Sequence, residues 1–177
     1  MLFRSVPAID DGIFVFDSNA ILLYLAEKTG KFLPQNRAQL LSWLMFVATG
    51  LGPYSGQAVH FKTVAPKELE YARNRYLYEA NRHYKILDDH LAKSKYMVGD
   101  TYTIADMAFW GWIRMAPFVL GEDVFTKYPN VKRLHDEVSA RPAAARAIAL
   151  KDKFTFKTDM DDEAKHIMFG HLKTKAA

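Results

Sequence analysis

The chain of 177 residues has no cysteine. That excludes disulfides, cysteine-ligated zinc and a nucleophilic thiol supplied by the protein itself, and it fits a reducing, cytoplasmic setting. Long apolar runs are missing as well. Ile21 to Ala26, for example, is broken by Tyr24 and stops at Glu27, far short of the roughly 20 residues a membrane span needs. The stretch Met1 to Pro7 holds no apolar signal core, so no secretory peptide is expected. Nor is there a basic block. The 24 Lys+Arg are interleaved with 20 Asp+Glu, for a net charge of +4. A mixed-charge surface of this kind predicts neither a nucleic-acid nor a membrane partner. The six histidines are scattered and none lies in a His-Glu-x-x-His pattern. Asp159, Asp161, Asp162 and Glu163 lack the ligand spacing and central glycine of a calcium loop. No metal is expected.

What is present is ordinary for a folded chain: 50% hydrophobic and 25% charged residues, which excludes a disordered or collagen-like protein. Val6 to Ile9 and Ile13 to Phe16 are short β-type runs around Asp10-Asp11-Gly12, a hairpin pattern. Asp17-Ser18 opens a helix with Ile21, Leu22 and Leu25 on its buried face, and Gly30 stops it. After Pro34 the pattern is helical throughout. A first helix runs from Ala38 to about Val47, and Gly50, Gly52 and Pro53 interrupt it. Pro66 suits a first helical position, from which Leu69, Ala72, Tyr76, Ala80, Tyr84, Leu87 and Leu91 recur at helical spacing. Further helices follow Thr103, Pro129 and Pro142, and the residues from Lys151 onward read as an irregular surface tail.

Two features near the start can carry chemistry. Cis peptide bonds are essentially confined to X-Pro, and a cis Val6-Pro7 bond would turn the Val6 backbone toward an extended ligand. A trans proline at a strand edge is the alternative. Asp17-Ser18 stands at a helix N-terminus, where free N–H groups and the helix dipole favour a carboxylate. No Glu or Gln follows three residues later to consume those donors. Ser18 beside the Asp17 charge would suit a zwitterionic amino-acid group. Plain N-capping is the alternative. Thr103 and Asp106 have the spacing of a capping box, with Asp replacing the usual Glu, so Asp106 reads as structural.

The order Val6-Pro7-x-Ile9, hairpin, Asp17-Ser18-x-Ala20-Ile21-x-x-Tyr24-Leu25 resembles the second half of the thioredoxin-like domain of glutathione transferases. Tyr96 to Asp106, Tyr128-Pro129-Asn130-Val131 and Ala140-Arg141-Pro142-Ala143 resemble that family's helical domain. Gly50 to Gln57, Arg75-Tyr76, Glu79, Asn81-Arg82 and Leu87-Asp88 resemble the bacterial Nu class in particular. The resemblance implies a partial α/β thioredoxin-like domain over 1–33, an all-helical domain over 34–150 and a C-terminal tail over 151–177. It also implies a homodimer built on the helices after Pro34 and Pro66.

By the same resemblance glutathione is the cosubstrate. It would be held by the backbone at Val6, by a cis Pro7 and by the pair Asp17-Ser18. Its thiolate would attack a small electrophile or reduce a disulfide. A non-catalytic glutathione-transferase-like binding module is the alternative. The family's thiolate-stabilising residue comes from the first strand–helix junction, which this chain lacks, so no catalytic residue is named. The resemblance therefore implies an N-terminally truncated chain with impaired activity, and a common sequencing-adapter end can encode Leu2-Phe3-Arg4-Ser5. A second-substrate pocket is expected at Tyr54, Trp110, Arg114 and Phe118, with Met168 or Phe169 of the tail nearby.

Overall fold

The computed structural model describes residues 6–155, 157 and 159–172. The adapter-like start, Leu2 to Ser5, lies outside them. Asp10 and Gly12 close the first turn. The Gly12 N–H donates to Asp10 Oδ1 at 3.1 Å, and Gly12 takes the left-handed conformation, φ 76°, that its missing Cβ permits. Strands β1 (Ala8–Asp10) and β2 (Phe14–Phe16) pair antiparallel with Ile9 opposite Val15, and they form a two-stranded sheet.

Helix α1 (Ser18–Thr29) ends at a left-handed Gly30. Its buried residues are Asn19 and Ala26, with Leu22 and Leu23 packed on the core, whereas Leu25 is exposed. The expected face of Ile21, Leu22 and Leu25 is therefore rotated. The physical reason is Asn19, whose side-chain amide donates to the Leu44 carbonyl at 3.3 Å. A polar residue sits in the seam, where apolar periodicity does not show it.

Helix α2 (Arg37–Phe46) is capped by Asn36. The glycines that follow do not interrupt it, contrary to expectation. One π turn, Val47–Leu51, carries the chain without a break into α3 (Gly52–Thr63). The glycines mark close approaches instead. A Cβ on Gly50 would lie 2.4 Å from His83 Nε2, and one on Gly52 would lie 2.9 Å from Trp112 Cζ2.

Helix α4 (Glu70–Leu91) begins four residues after Pro66. Pro66 opens a turn in which the Leu69 N–H donates to the Pro66 carbonyl, and Arg73 holds this turn through the Lys67 and Phe61 carbonyls. Ala80, Tyr84, Leu87 and Leu91 are buried as their spacing predicts, joined by His83, while Leu69 is exposed. Helices α5 (Ile104–Ile113), α6 (Ala116–Leu120), α7 (Val124–Lys127) and α8 (Pro129–Ser139) follow. Val131, Leu134 and Val138 of α8 close a core shared with α2, α4 and α5.

The chain divides into two compact units, Met1–Arg141 and Pro142–Ala177. The second holds α9 (Pro142–Ala149) and α10 (Asp162–Phe169), so the tail is not irregular throughout. Asp161 caps α10 by accepting from the Ala164 N–H at 2.9 Å, and Asp162 and Glu163 occupy its first turn, where the helix dipole favours acids. That accounts for the acidic cluster of the tail. Met168 and Phe169 lie at the end of α10.

Candidate functional site

The Val6-Pro7 peptide bond is cis, and Val6 is exposed. Two strands further on, the chain enters α1 through Asp17, which stands at φ 73°, ψ 128°. A non-glycine residue adopts such a backbone only at a cost of about 1–3 kcal/mol. The Asp17 carboxylate turns back onto the helix, and its Oδ1 accepts from the N–H groups of Asn19 at 2.9 Å and Ala20 at 3.1 Å. Asp17 is thus an N-cap and occupies two of the donors that the sequence leaves free. Ser18, the first residue of the helix, is exposed.

Pro7, Ile9 and Ser18 form one wall of a cleft of about 570 Å³ that continues along Ile21 and Leu22. The opposite wall is α5, through Met107, Gly111 and Trp112, with Met115 in the turn just beyond it. The spacing of Met107, Gly111 and Trp112 puts them on one side of the helix. The cleft is mostly apolar with one hydroxyl at its edge, and ligand sites commonly have this composition. Among the described residues, no group of three or more His, Asp or Glu side chains can hold a metal ion. No helix among them is long and apolar enough to cross a membrane.

The four residues expected to line a second-substrate pocket do not meet in this cleft. Trp110 and Trp112 stand two residues apart, about 200° around the helix, so only one indole can face it. Trp112 does. Trp110 points elsewhere and donates from Nε1 to Ser139 Oγ at 2.9 Å, with the Arg114 guanidinium 5.0 Å from its ring centre. That cation–π contact gives the Arg114 charge its partner. Tyr54 lies against His83, ring centres 5.0 Å apart, and near Tyr76 at 6.3 Å. Phe118 is exposed on α6, and its carbonyl accepts from Lys62 Nζ at 3.1 Å. Helical spacing in the sequence groups Met107, Gly111 and Trp112 on one side of α5, but which side meets the cleft is set by packing against the rest of the fold.

The Thr103 cap is built as its spacing predicts. Thr103 Oγ1 accepts from the Ala105 N–H at 3.2 Å, and Asp106 Oδ2 accepts from the Thr103 N–H at 2.7 Å. Asp106 does more than close a box, because its Oδ1 accepts from the Met97 N–H at 2.8 Å. Burial pushes the Asp106 carboxyl up, and the Met97 and Thr103 donors oppose that shift. At the far end of α5, the buried Tyr84 hydroxyl donates to the Trp112 carbonyl at 3.1 Å. Burial raises the Tyr84 phenol above its ordinary range. The helix that carries one wall of the cleft is therefore fixed at both ends.

Residues 56–148 match the family described as glutathione S-transferase, C-terminal domain. The chain is 42% identical over 156 residues to the disulfide-bond oxidoreductase YfcG of Escherichia coli, covering 82% of this chain and 72% of that one. It is also 42% identical over 158 residues to the disulfide-bond oxidoreductase YghU of the same organism, covering 80% of this chain and 54% of that one. Among solved structures it resembles a glutathione transferase of Burkholderia graminis with two glutathione molecules bound per subunit. There the TM-score is 0.73 and the identity 34%, over 85% of this chain and 69% of that one. A glutathione transferase of Pseudomonas putida with one glutathione disulfide bound per subunit gives a TM-score of 0.70 and 36% identity, over 78% and 64%. The chain spans little more than half the length of YghU and nearly three quarters of YfcG. A two-stranded sheet leading into a helical core, the matched helical domain and these relatives converge: the chain belongs to the glutathione S-transferase family.

Proposed function

We propose that the chain binds glutathione along Val6, Pro7, Asp17 and Ser18, and that a disulfide or electrophile bonded to the glutathione sulfur rests on the apolar wall of α5. The observation that carries this reading is the cleft itself, which brings Pro7 and Ser18 to face Met107, Gly111, Trp112 and Met115. The relatives named for disulfide-bond oxidoreduction and the neighbours solved with glutathione or its disulfide support it. With no cysteine in the chain, the thiol must arrive with the ligand. The thiolate of one glutathione attacks a substrate sulfur and expels the other half as a thiol. A second glutathione then attacks the mixed disulfide, so that one disulfide is reduced and one glutathione disulfide forms. Attack on an electrophilic carbon gives a thioether instead.

Ser18 stands at the N-terminal end of α1, where a carboxylate is favoured. The Asp17 oxygen not used in capping offers a negative charge to an ammonium group. Binding is the primary test. Calorimetry should detect glutathione binding to the full chain. Ser18→Ala should weaken it about tenfold, the size of a lost hydrogen bond to a charged group, with no shift in Tm because Ser18 is exposed. If the unaltered chain binds no glutathione, the reading is wrong. The homodimer is assigned to α2 and α4, which expose Leu41 and Met45 on one and Tyr71 and Tyr78 on the other.

A further inference from the structure

We propose that Gly52 is a positioning residue that sets the width of the cleft by seating the Trp112 indole, and so determines which group on the glutathione sulfur is accepted. This rests on the glutathione reading above. The π turn Val47–Leu51 ends with the Gly52 N–H donating to the Val47 carbonyl. It delivers the bare Gly52 backbone directly beneath Trp112. A Cβ at Gly52 would stand 2.9 Å from Trp112 Cζ2, 3.0 Å from Cε2 and 3.1 Å from the Val47 carbonyl oxygen. Real Cβ atoms do not approach aromatic carbons that closely, so the ring lies where only glycine admits it. π turns inside helices recur at functional sites, and here the turn has an evident use.

The indole is backed by the core on the side away from the cleft. Its main chain is held by the bond from Tyr84, and the ring packs on the core. A methyl group at position 52 would move the ring toward the open side, which is the cleft. The rest of that wall is soft: Met107 on α5 and Met115 just after it are unbranched and adapt to their contents, and Gly111 has no side chain. Trp112 is the rigid element of that wall. A flat apolar substituent on the sulfur, such as a benzyl group or one half of an aromatic disulfide, would lie against it.

The test is calorimetry on the full chain with two probes, glutathione and S-benzylglutathione. Gly52→Ala should weaken S-benzylglutathione about tenfold, the order expected for a misplaced group in an apolar pocket, and leave glutathione within about twofold. Trp112→Ala should also remove the preference for the benzyl probe. In the Trp112→Ala background, adding Gly52→Ala should have no further effect on either probe, because the indole it displaces is gone. Trp112→Phe, which leaves the Gly52 backbone untouched, should shift the preference even if the alanine at 52 does not fold. Equal loss of both probes in Gly52→Ala, no change in either, or a persistent Gly52→Ala effect without the indole would each overturn the proposal. If the unaltered chain binds neither probe, the glutathione reading fails and this inference falls with it. If it binds glutathione and Gly52→Ala spares the benzyl probe, only this inference fails.

Discussion

Asp88 and Arg133 exchange caps between α4 and α8. Asp88 Oδ1 accepts from the N–H groups of Asn130 at 2.7 Å and Val131 at 3.0 Å, in the first turn of α8. Arg133 returns the contact, donating to the carbonyls of Leu91 at 3.0 Å, Ser94 at 3.1 Å and Lys95 at 2.9 Å, where α4 ends. Each helix end thus finds its partner on the other helix, with the charge its dipole favours. Asp88→Ala and Arg133→Ala should each cost about 1–3 kcal/mol, the range for stranding part-buried polar groups. Because both hold one seam, the double variant should lose less than the sum. Urea denaturation of the full cycle measures this, and an unchanged midpoint in either single variant would sink it.

Asp106→Ala should destabilise by about 3 kcal/mol. A lost cap alone costs about 0.5–2 kcal/mol. Here the carboxylate is fully buried and also holds the Met97 N–H, so its removal strands a second buried donor, at about 1–3 kcal/mol. Chemical denaturation gives the value, and a loss under 1 kcal/mol would show that the Met97 bond contributes nothing net.

Alkaline stability should depend on Tyr96. Its hydroxyl donates to the Glu137 carboxylate, which pushes the phenol up to about 12. Folding therefore favours the protonated phenol. That stabilisation is complete below the ordinary tyrosine pKa of about 10 and is lost as the pH rises toward 12. Tyr96→Phe should flatten the loss between pH 10 and 12 without abolishing it, since burial also raises Tyr84 and Tyr102. Denaturation midpoints that fall equally steeply in both proteins would refute the assignment.

Association should run through α2 and α4. Met45→Glu combined with Tyr78→Glu alters two exposed positions, so the monomer should keep its Tm while sedimentation shifts from dimer to monomer. A monomeric unaltered chain, or a doubly altered dimer, would exclude this face.

The hairpin, the α1 stop at Gly30 and the Thr103–Asp106 cap were legible because each has a local cause: a turn residue, a left-handed glycine, a side chain reaching its own helix end. What was not legible depends on partners distant in sequence. Gly50 and Gly52 looked like breakers, yet they are glycine because His83 and Trp112 come from elsewhere in the chain to lie on them. Asn19 carries no local signal for burial, because the acceptor that holds it, the Leu44 carbonyl, lies on another helix. Trp110 and Trp112 are alike in type and nearly alike in position. Only the rotation of α5 against its neighbours separates the indole that holds Ser139 from the one that faces the cleft.

The hairpin has a consequence for ligand affinity. Neither three-residue strand contains a fully buried side chain, so it sits at the low end of local stability and opens before the helical core does. Its closed form brings Pro7 and Ile9 to the cleft. Any ligand bound there meets a wall that is in place for only a fraction of the time, and its apparent dissociation constant is the intrinsic one divided by that fraction. Ligand and hairpin therefore stabilise each other. Amide exchange in Ala8–Phe16 should slow in proportion to occupancy, and changes that firm the hairpin without touching the cleft should tighten binding.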